Sequence, residues 1–82
     1  MAKEAVLRVE LDGLAYVLRG AGGEQRLRQI SSLVKQKVDT VRACCPHYST
    51  TRTAMLVALQ TAEELLALQE EYFEMLEAAN IT

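Results

Sequence analysis

Thiolate and imidazole are soft-metal ligands, and Cys44, Cys45 and His47 place two thiols and the only histidine of the chain within four residues. Adjacent cysteines do not readily converge on one tetrahedral ion, and no second histidine completes a set, so a helix end with one thiol packed inside accounts for the cluster and no metal is expected. A disulfide between neighbours in sequence is strained, and reduced thiols are the expectation. A Cys-His nucleophile fails for want of an orienting Asn or Asp at a recognisable spacing and of an oxyanion pocket. Gly20-Ala21-Gly22-Gly23 invites a dinucleotide reading, but the third glycine of G-x-G-x-x-G falls on Gln25, and no Lys-Ser/Thr of a phosphate-binding loop follows. These glycines suit a loop that turns the chain. No catalytic, cofactor-binding or metal-binding residue emerges, and the chain does not read as an enzyme.

Charge is the other source of chemistry. The net charge is −2, which gives no support to a nucleic-acid or membrane-surface binder. Residues 1–52 hold all nine Lys and Arg against five acids, whereas residues 53–82 hold six Glu and no base. A basic head therefore precedes an acidic tail. The basic residues are suited to an acidic partner surface. Six uncompensated Glu oppose the dipole of a helix and repel one another in a parallel homodimer, so antiparallel or offset pairing is expected, with acidic tails near the basic heads of other subunits. The start, Met1-Ala2-Lys3-Glu4, lacks the apolar segment of a signal peptide, and no apolar stretch approaches a membrane span. A cytoplasmic location is expected.

The elements that position these groups follow from periodicity. From Val6 to Arg19 apolar and polar residues alternate around Asp12-Gly13, a dipeptide that accepts positive φ and suits a two-residue type I′ turn. A turn there pairs Leu11 with Leu14, Val9 with Tyr16 and Leu7 with Leu18 on one face, with Arg8 and Glu10 on the other. Two strands alone are marginal in water, so the apolar face must lie on a helix or another subunit. Leu27, Ile30, Val34, Val38 and Val41 then recur at three- and four-residue steps, which predicts an amphipathic helix from about Glu24 to Cys44 or Cys45, ended by Pro46. Ser49, Thr50 and Thr51 offer N-cap oxygens, and neither Gly nor Pro interrupts the chain from Arg52 to Thr82. A helix of roughly 28 residues at ~1.5 Å each is some 40 Å long, more than a head of about 50 residues can cover.

That helix carries two seams. Met55, Leu59, Ala62, Leu66, Phe73 and Leu76 keep alternating four- and three-residue steps, interrupted by Gln69, and are the expected self-association seam. Ala54, Ala58, Leu65, Leu68, Tyr72, Met75 and Ala79 form a second stripe beside it, broken by Thr61, so one stripe can serve the head and the other a partner. The fold class is α+β: an N-terminal β-hairpin, an amphipathic helix and a long C-terminal coiled-coil-forming helix. Residues 1–48 form the head and 49–82 the self-association helix of one structural unit.

A hairpin with a central glycine and a following aromatic, a basic helix, a Ser/Thr-rich cap and then Met55-Leu56-Val57-Ala58-Leu59-Gln60-Thr61-Ala62-Glu63-Glu64-Leu65 resemble the ZapA family of bacterial cell-division proteins from Val6 to about Leu68. In that family the second helix opens with a small-apolar run ending Ala-Ala-Leu-Asn-Ile-Ala-Asp/Glu-Glu-Leu, and here Gln60 and Thr61 replace Asn and Ile. The resemblance implies a homodimer or dimer of dimers that binds FtsZ, the tubulin-like GTPase of the division ring, and cross-links its protofilaments at the division site. Leu14 and Thr51 stand where several members carry an arginine and an acid linked to FtsZ binding, and the tail that supports the tetramer in longer members is reduced. The resemblance points to Leu14, Arg52 and Met55 for partner contact, and the two departures leave a ZapA-like oligomerisation module for a different protein as the competing reading.

Overall fold

The computed structural model describes residues 4–80; residues 1–3 and 81–82, and with them most of the polar start and the two ends of the sequence-derived segments, lie outside the described residues. Strand β1 spans Ala5–Leu11 and pairs antiparallel with β2, Leu14–Gly20. Helix α1 follows over Glu24–Cys44, and helix α2 over Thr50–Asn80.

The hairpin turns on Asp12 and Gly13, both at positive φ (52° and 80°), the geometry of a primed turn whose twist matches that of the strands. Leu11 faces Leu14, Val9 faces Tyr16 and Leu7 faces Leu18, the register the alternation predicts. Burial alternates along β1, where Leu7, Val9 and Leu11 are half-buried under α1. It fades along β2. Leu14 and Tyr16 remain half exposed because α1 packs chiefly along β1 and leaves the turn end of β2 uncovered.

Gly23, at φ 88°, lets the chain swing into α1, whose first turn lacks a side-chain cap. Leu27, Val38 and Val41 of the expected stripe are buried and Val34 half-buried, whereas Ile30 is 44% exposed. The helix ends at Cys44, where the Cys45 amide still bonds the carbonyl of Val41 at 2.7 Å before Pro46 ends the helix. Ser49 then caps α2, its Oγ accepting the Arg52 amide at 3.1 Å.

Thr53 and Val57 are the buried residues of α2; Val57 clusters with Val38 and Val41 of α1, and half-buried Leu56, Val34 and Tyr48 pack against that cluster. None of Thr53, Leu56 and Val57 belongs to either seam. The expectation that one seam serves the head is corrected here: the short stripe Thr53-Leu56-Val57, offset from both, performs that role. The reason is the crossing geometry, since α2 meets α1 over only its first turns before diverging. Lys37 and Glu64, paired at 2.5 Å, add an ion pair between the two helices.

From Ala58 to Asn80 every residue of α2 is exposed. The molecule measures 53 × 41 × 15 Å, a flat and extended shape. Its radius of gyration, 16.7 Å, exceeds the roughly 12 Å of a compact chain of this length. Four buried apolar side chains, Leu27, Val38, Val41 and Val57, make up the described core.

Candidate assembly interface

Arg42, in the last turn of α1, organises the corner from which α2 departs. Its Nε donates to Asp12 Oδ1 at 2.6 Å and its Nη2 to Oδ2 at 2.7 Å, while Nη1 donates to the carbonyls of Pro46, at 3.3 Å, and Tyr48. One planar guanidinium thereby ties hairpin turn, helix end and connecting loop together, a task that a lysine point charge cannot reproduce. The Arg42 fork, assisted by the Thr50 hydroxyl, holds the Asp12 carboxyl at about 2, well below the usual carboxylate range.

Beyond this corner lie the residues expected to meet a partner. The Arg52 guanidinium rests 4.5 Å from the centre of the Tyr48 ring, against which His47 packs edge-on. Arg52, Met55 and Leu59 line one shallow groove with Tyr48 and Leu56. Leu14 lies outside that groove, half exposed beside the hairpin turn. The structure thus brings two of the three together and leaves the third on the hairpin.

A second groove, of about 260 Å³, runs between hairpin and helices and is lined almost wholly by apolar atoms of Leu11, Tyr16, Leu18, Val34, Val38 and Ala54. Thr53 borders it, 1% exposed, with an Oγ1 that has no hydrogen-bond partner among the described residues.

Met55, Leu59, Leu66, Phe73 and Leu76 are 41–62% exposed and Ala62 is exposed, and the second stripe, with Leu65, Leu68, Tyr72 and Met75, is exposed to the same degree. On the distal helix the neighbouring rings of Tyr72 and Phe73 lie edge-on at 6.2 Å. Fifteen large apolar side chains are exposed among the described residues, too many to be incidental on a chain this small. Total accessible area is 6810 Å², about 1,900 Å² above the roughly 4,900 Å² expected of a compact monomer of this mass.

The ion pairs among the described residues are Arg28–Glu24, Lys35–Asp39, Lys37–Glu64 and Arg42–Asp12. Glu63, Glu70, Glu71, Glu74 and Glu77 of α2 are thus without an ion-pair partner in the described chain. One acid of the tail, Glu64, meets a base of the head within the same chain, a pairing that charge counting alone assigned to other subunits. Among the described residues no group of three or more His, Cys, Asp or Glu is placed to hold a metal ion. The Cys44 and Cys45 sulfurs lie 3.4 Å apart as free thiols. No described helix is long and apolar enough to cross a membrane.

Sequence reasoning missed the Asp12–Arg42 pair. Asp12 reads as a turn former and Arg42 as one of several basic residues off the apolar stripe, and no linear pattern joins positions 30 apart. It also missed Tyr48 as the platform beneath Arg52, for which an aromatic just before a helix cap was the one available hint.

Residues 7–80 match the family model described as "Cell division protein ZapA". The cell division protein ZapA of Bacillus anthracis is 26% identical over 76 residues, which cover 93% of this chain and 85% of that protein. That of Halalkalibacterium halodurans is 28% identical over 74 residues, covering 90% and 80%. Among solved structures, a ZapA mutant dimer from Geobacillus stearothermophilus superposes with a TM-score of 0.72 at 27% identity, covering 94% of this chain and 90% of that one. The hairpin, the two helices with the second much the longer, and the family match over residues 7–80 agree: the chain belongs to the ZapA family of cell division proteins.

Proposed function

We propose that this chain is a non-enzymatic cell-division scaffold that self-associates through α2 and the uncovered apolar surface of the head, and that the oligomer binds FtsZ and cross-links its protofilaments. Its place of action is the cytoplasmic division site, where cross-linking promotes assembly and stability of the ring. The observation that carries this reading is α2 beyond Val57: two apolar stripes exposed along the same helix, on a flat and extended molecule. The excess of about 1,900 Å² per chain is of the size that obligate homodimers bury, roughly 1,000–2,500 Å² per partner. Family membership and the dimeric structure of the Geobacillus relative support the same reading.

Assembly supplies the mechanism without further chemistry. A dimer or dimer of dimers carries two or four copies of the head, and several weak contacts on one rigid body hold neighbouring filaments through effective concentration. Leu14 on the hairpin, and Arg52 with Met55 in the first turns of α2 beside Tyr48, are the proposed contacts, away from the distal half of α2. Met55 and Leu59 line the groove of Arg52 and also belong to the proposed seam, so the two surfaces overlap there.

Two measurements on the same preparation test the reading. Sedimentation across a wide concentration range should show an oligomer, and co-sedimentation with polymerised FtsZ should show bundled filaments in the pellet. An oligomer that never pellets with FtsZ at low salt would favour the second reading, an oligomerisation module for another protein, for which uncharged Leu14 and Thr51 speak. A monomer at all concentrations would remove both.

A further inference from the structure

Successive side chains on a helix point about 100° apart, so neighbouring cysteines within one do not ordinarily meet. At the end of α1 they do. Cys45 leaves helical geometry at φ −134°, ψ 70°, and its sulfur lies 3.4 Å from that of Cys44. Cys44 is exposed and Cys45 half-buried, the arrangement of an outer thiol backed by an inner one. We infer that Cys44 and Cys45 form a reversible dithiol–disulfide site, oxidised by a peroxide, whose closure loosens the corner that Arg42 holds.

The chemistry balances with a peroxide as the sole oxidant. The Cys44 sulfur attacks one peroxide oxygen, the O–O bond breaks, and a sulfenic acid and one water result. The Cys45 sulfur then attacks the sulfenic sulfur; the S–S bond forms, the S–O bond breaks, and the oxygen leaves with the thiol proton as a second water. Two thiols have lost two protons and two electrons, and one peroxide has become two waters. The Cys45 thiol pushes the Cys44 pKa up, so little thiolate is present at neutral pH and the first step is slow there, quickening as the pH rises.

The structural consequence follows from position. Adjacent Cα atoms are about 3.8 Å apart, below the usual range of roughly 4.4–6.8 Å for bridged cysteines, so the ring distorts the backbone and is readily reduced. That backbone carries the 2.7 Å bond from the Cys45 amide to Val41 and the 3.2 Å bond from the Tyr48 amide to the Cys45 carbonyl. The same short loop supplies the Pro46 and Tyr48 carbonyls that Arg42 grips along with Asp12. A two-electron oxidation at one helix end thereby reaches the hairpin turn.

The experiment treats the reduced full-length chain with hydrogen peroxide and reads intact mass, maleimide labelling and amide hydrogen exchange. The expected product has lost two hydrogens per chain, takes up no maleimide, runs as a single chain on a denaturing gel without reductant, and reverts with dithiothreitol. Cys45→Ser should instead stop at a Cys44 sulfenic acid trapped by dimedone. Exchange at the Cys45 and Tyr48 amides should rise roughly tenfold or more in the oxidised chain, as for amides whose protecting bonds have opened. Two thiols still open to maleimide, or chains cross-linked to one another, would overturn the site. A disulfide that forms with exchange at both amides unchanged would overturn its coupling to the corner.

Discussion

Asp12 and Arg42, thirty residues apart, meet in a two-pronged pair at 2.6 and 2.7 Å that seats the tip of the hairpin on the corner between the two helices. The Asp12 side chain is 14% exposed and that of Arg42 27%, so water competes with the pair less than on an open surface. The same residue that shapes the turn thus anchors it, and this is where the head acquires its geometry.

Removing the charge from that pair without disturbing the turn isolates its role. Asp12→Asn keeps a dipeptide, Asn-Gly, that favours the same turn. Because the folded-state pKa of Asp12, about 2, lies below its unfolded value near ~4, the pair contributes stability that is full above pH ~4 and is lost as pH falls towards 2. Asp12→Asn should therefore melt below the parent at pH 7, and the gap should close between pH ~4 and 2. Thermal melts across that range are the check, and a gap independent of pH would show that the carboxylate is not the source.

Leu66 is 58% exposed in the single chain and sits mid-way along the proposed seam. Leu66→Glu would bury an unpartnered charge at a self-association interface, which costs several kcal/mol. The dissociation constant should rise by about tenfold or more, each tenfold being ~1.4 kcal/mol, while far-ultraviolet circular dichroism retains the helical signal. Light scattering that finds an unchanged mass would move the seam elsewhere on α2.

Thr53 is the one described side chain with a buried polar atom left unpaired. Thr53→Val keeps the shape, exchanges the hydroxyl for a methyl, and should stabilise the chain by about 1 kcal/mol, since an unsatisfied buried hydroxyl costs roughly 1–3 kcal/mol. The midpoint of urea denaturation at fixed protein concentration would show the gain. A loss would mean that the hydroxyl is satisfied in the assembled protein.

Five glutamates of α2 without ion-pair partners in the described chain make the orientation of pairing testable by salt. In antiparallel or offset assembly they approach basic heads, and attraction weakens as the screening length falls from ~8 Å at 0.15 M to ~3 Å at 1 M. The higher oligomer should then dissociate with rising salt in sedimentation runs. Steady tightening would point to parallel helices whose like charges salt relieves.

Local physics was legible in the residues themselves. Asp12-Gly13 with alternation on both sides specifies one hairpin register, because a slip of one residue would turn Leu7, Val9 and Leu11 outwards. Pro46 and the Ser49 cap bound the helices to within a residue or two of Cys44 and Thr50. The apolar excess of α2 is equally a matter of composition. By contrast, the Arg52–Tyr48 stack, the apolar groove beside Thr53 and the proximity of the two thiols all depend on where the chain turns between 44 and 50.

What the sequence alone determined is therefore everything governed by neighbours along the chain: turn type, strand register, helix limits and the two stripes of α2. Only the tertiary structure decided which stripe the head uses, and it uses Thr53-Leu56-Val57, because the angle at which α2 leaves the Arg42 corner sets the facing side chains. Helical periodicity says which residues share a face, but not towards what that face turns. That direction comes from the corner, and the corner rests on a contact between Asp12 and Arg42 that no local rule encodes.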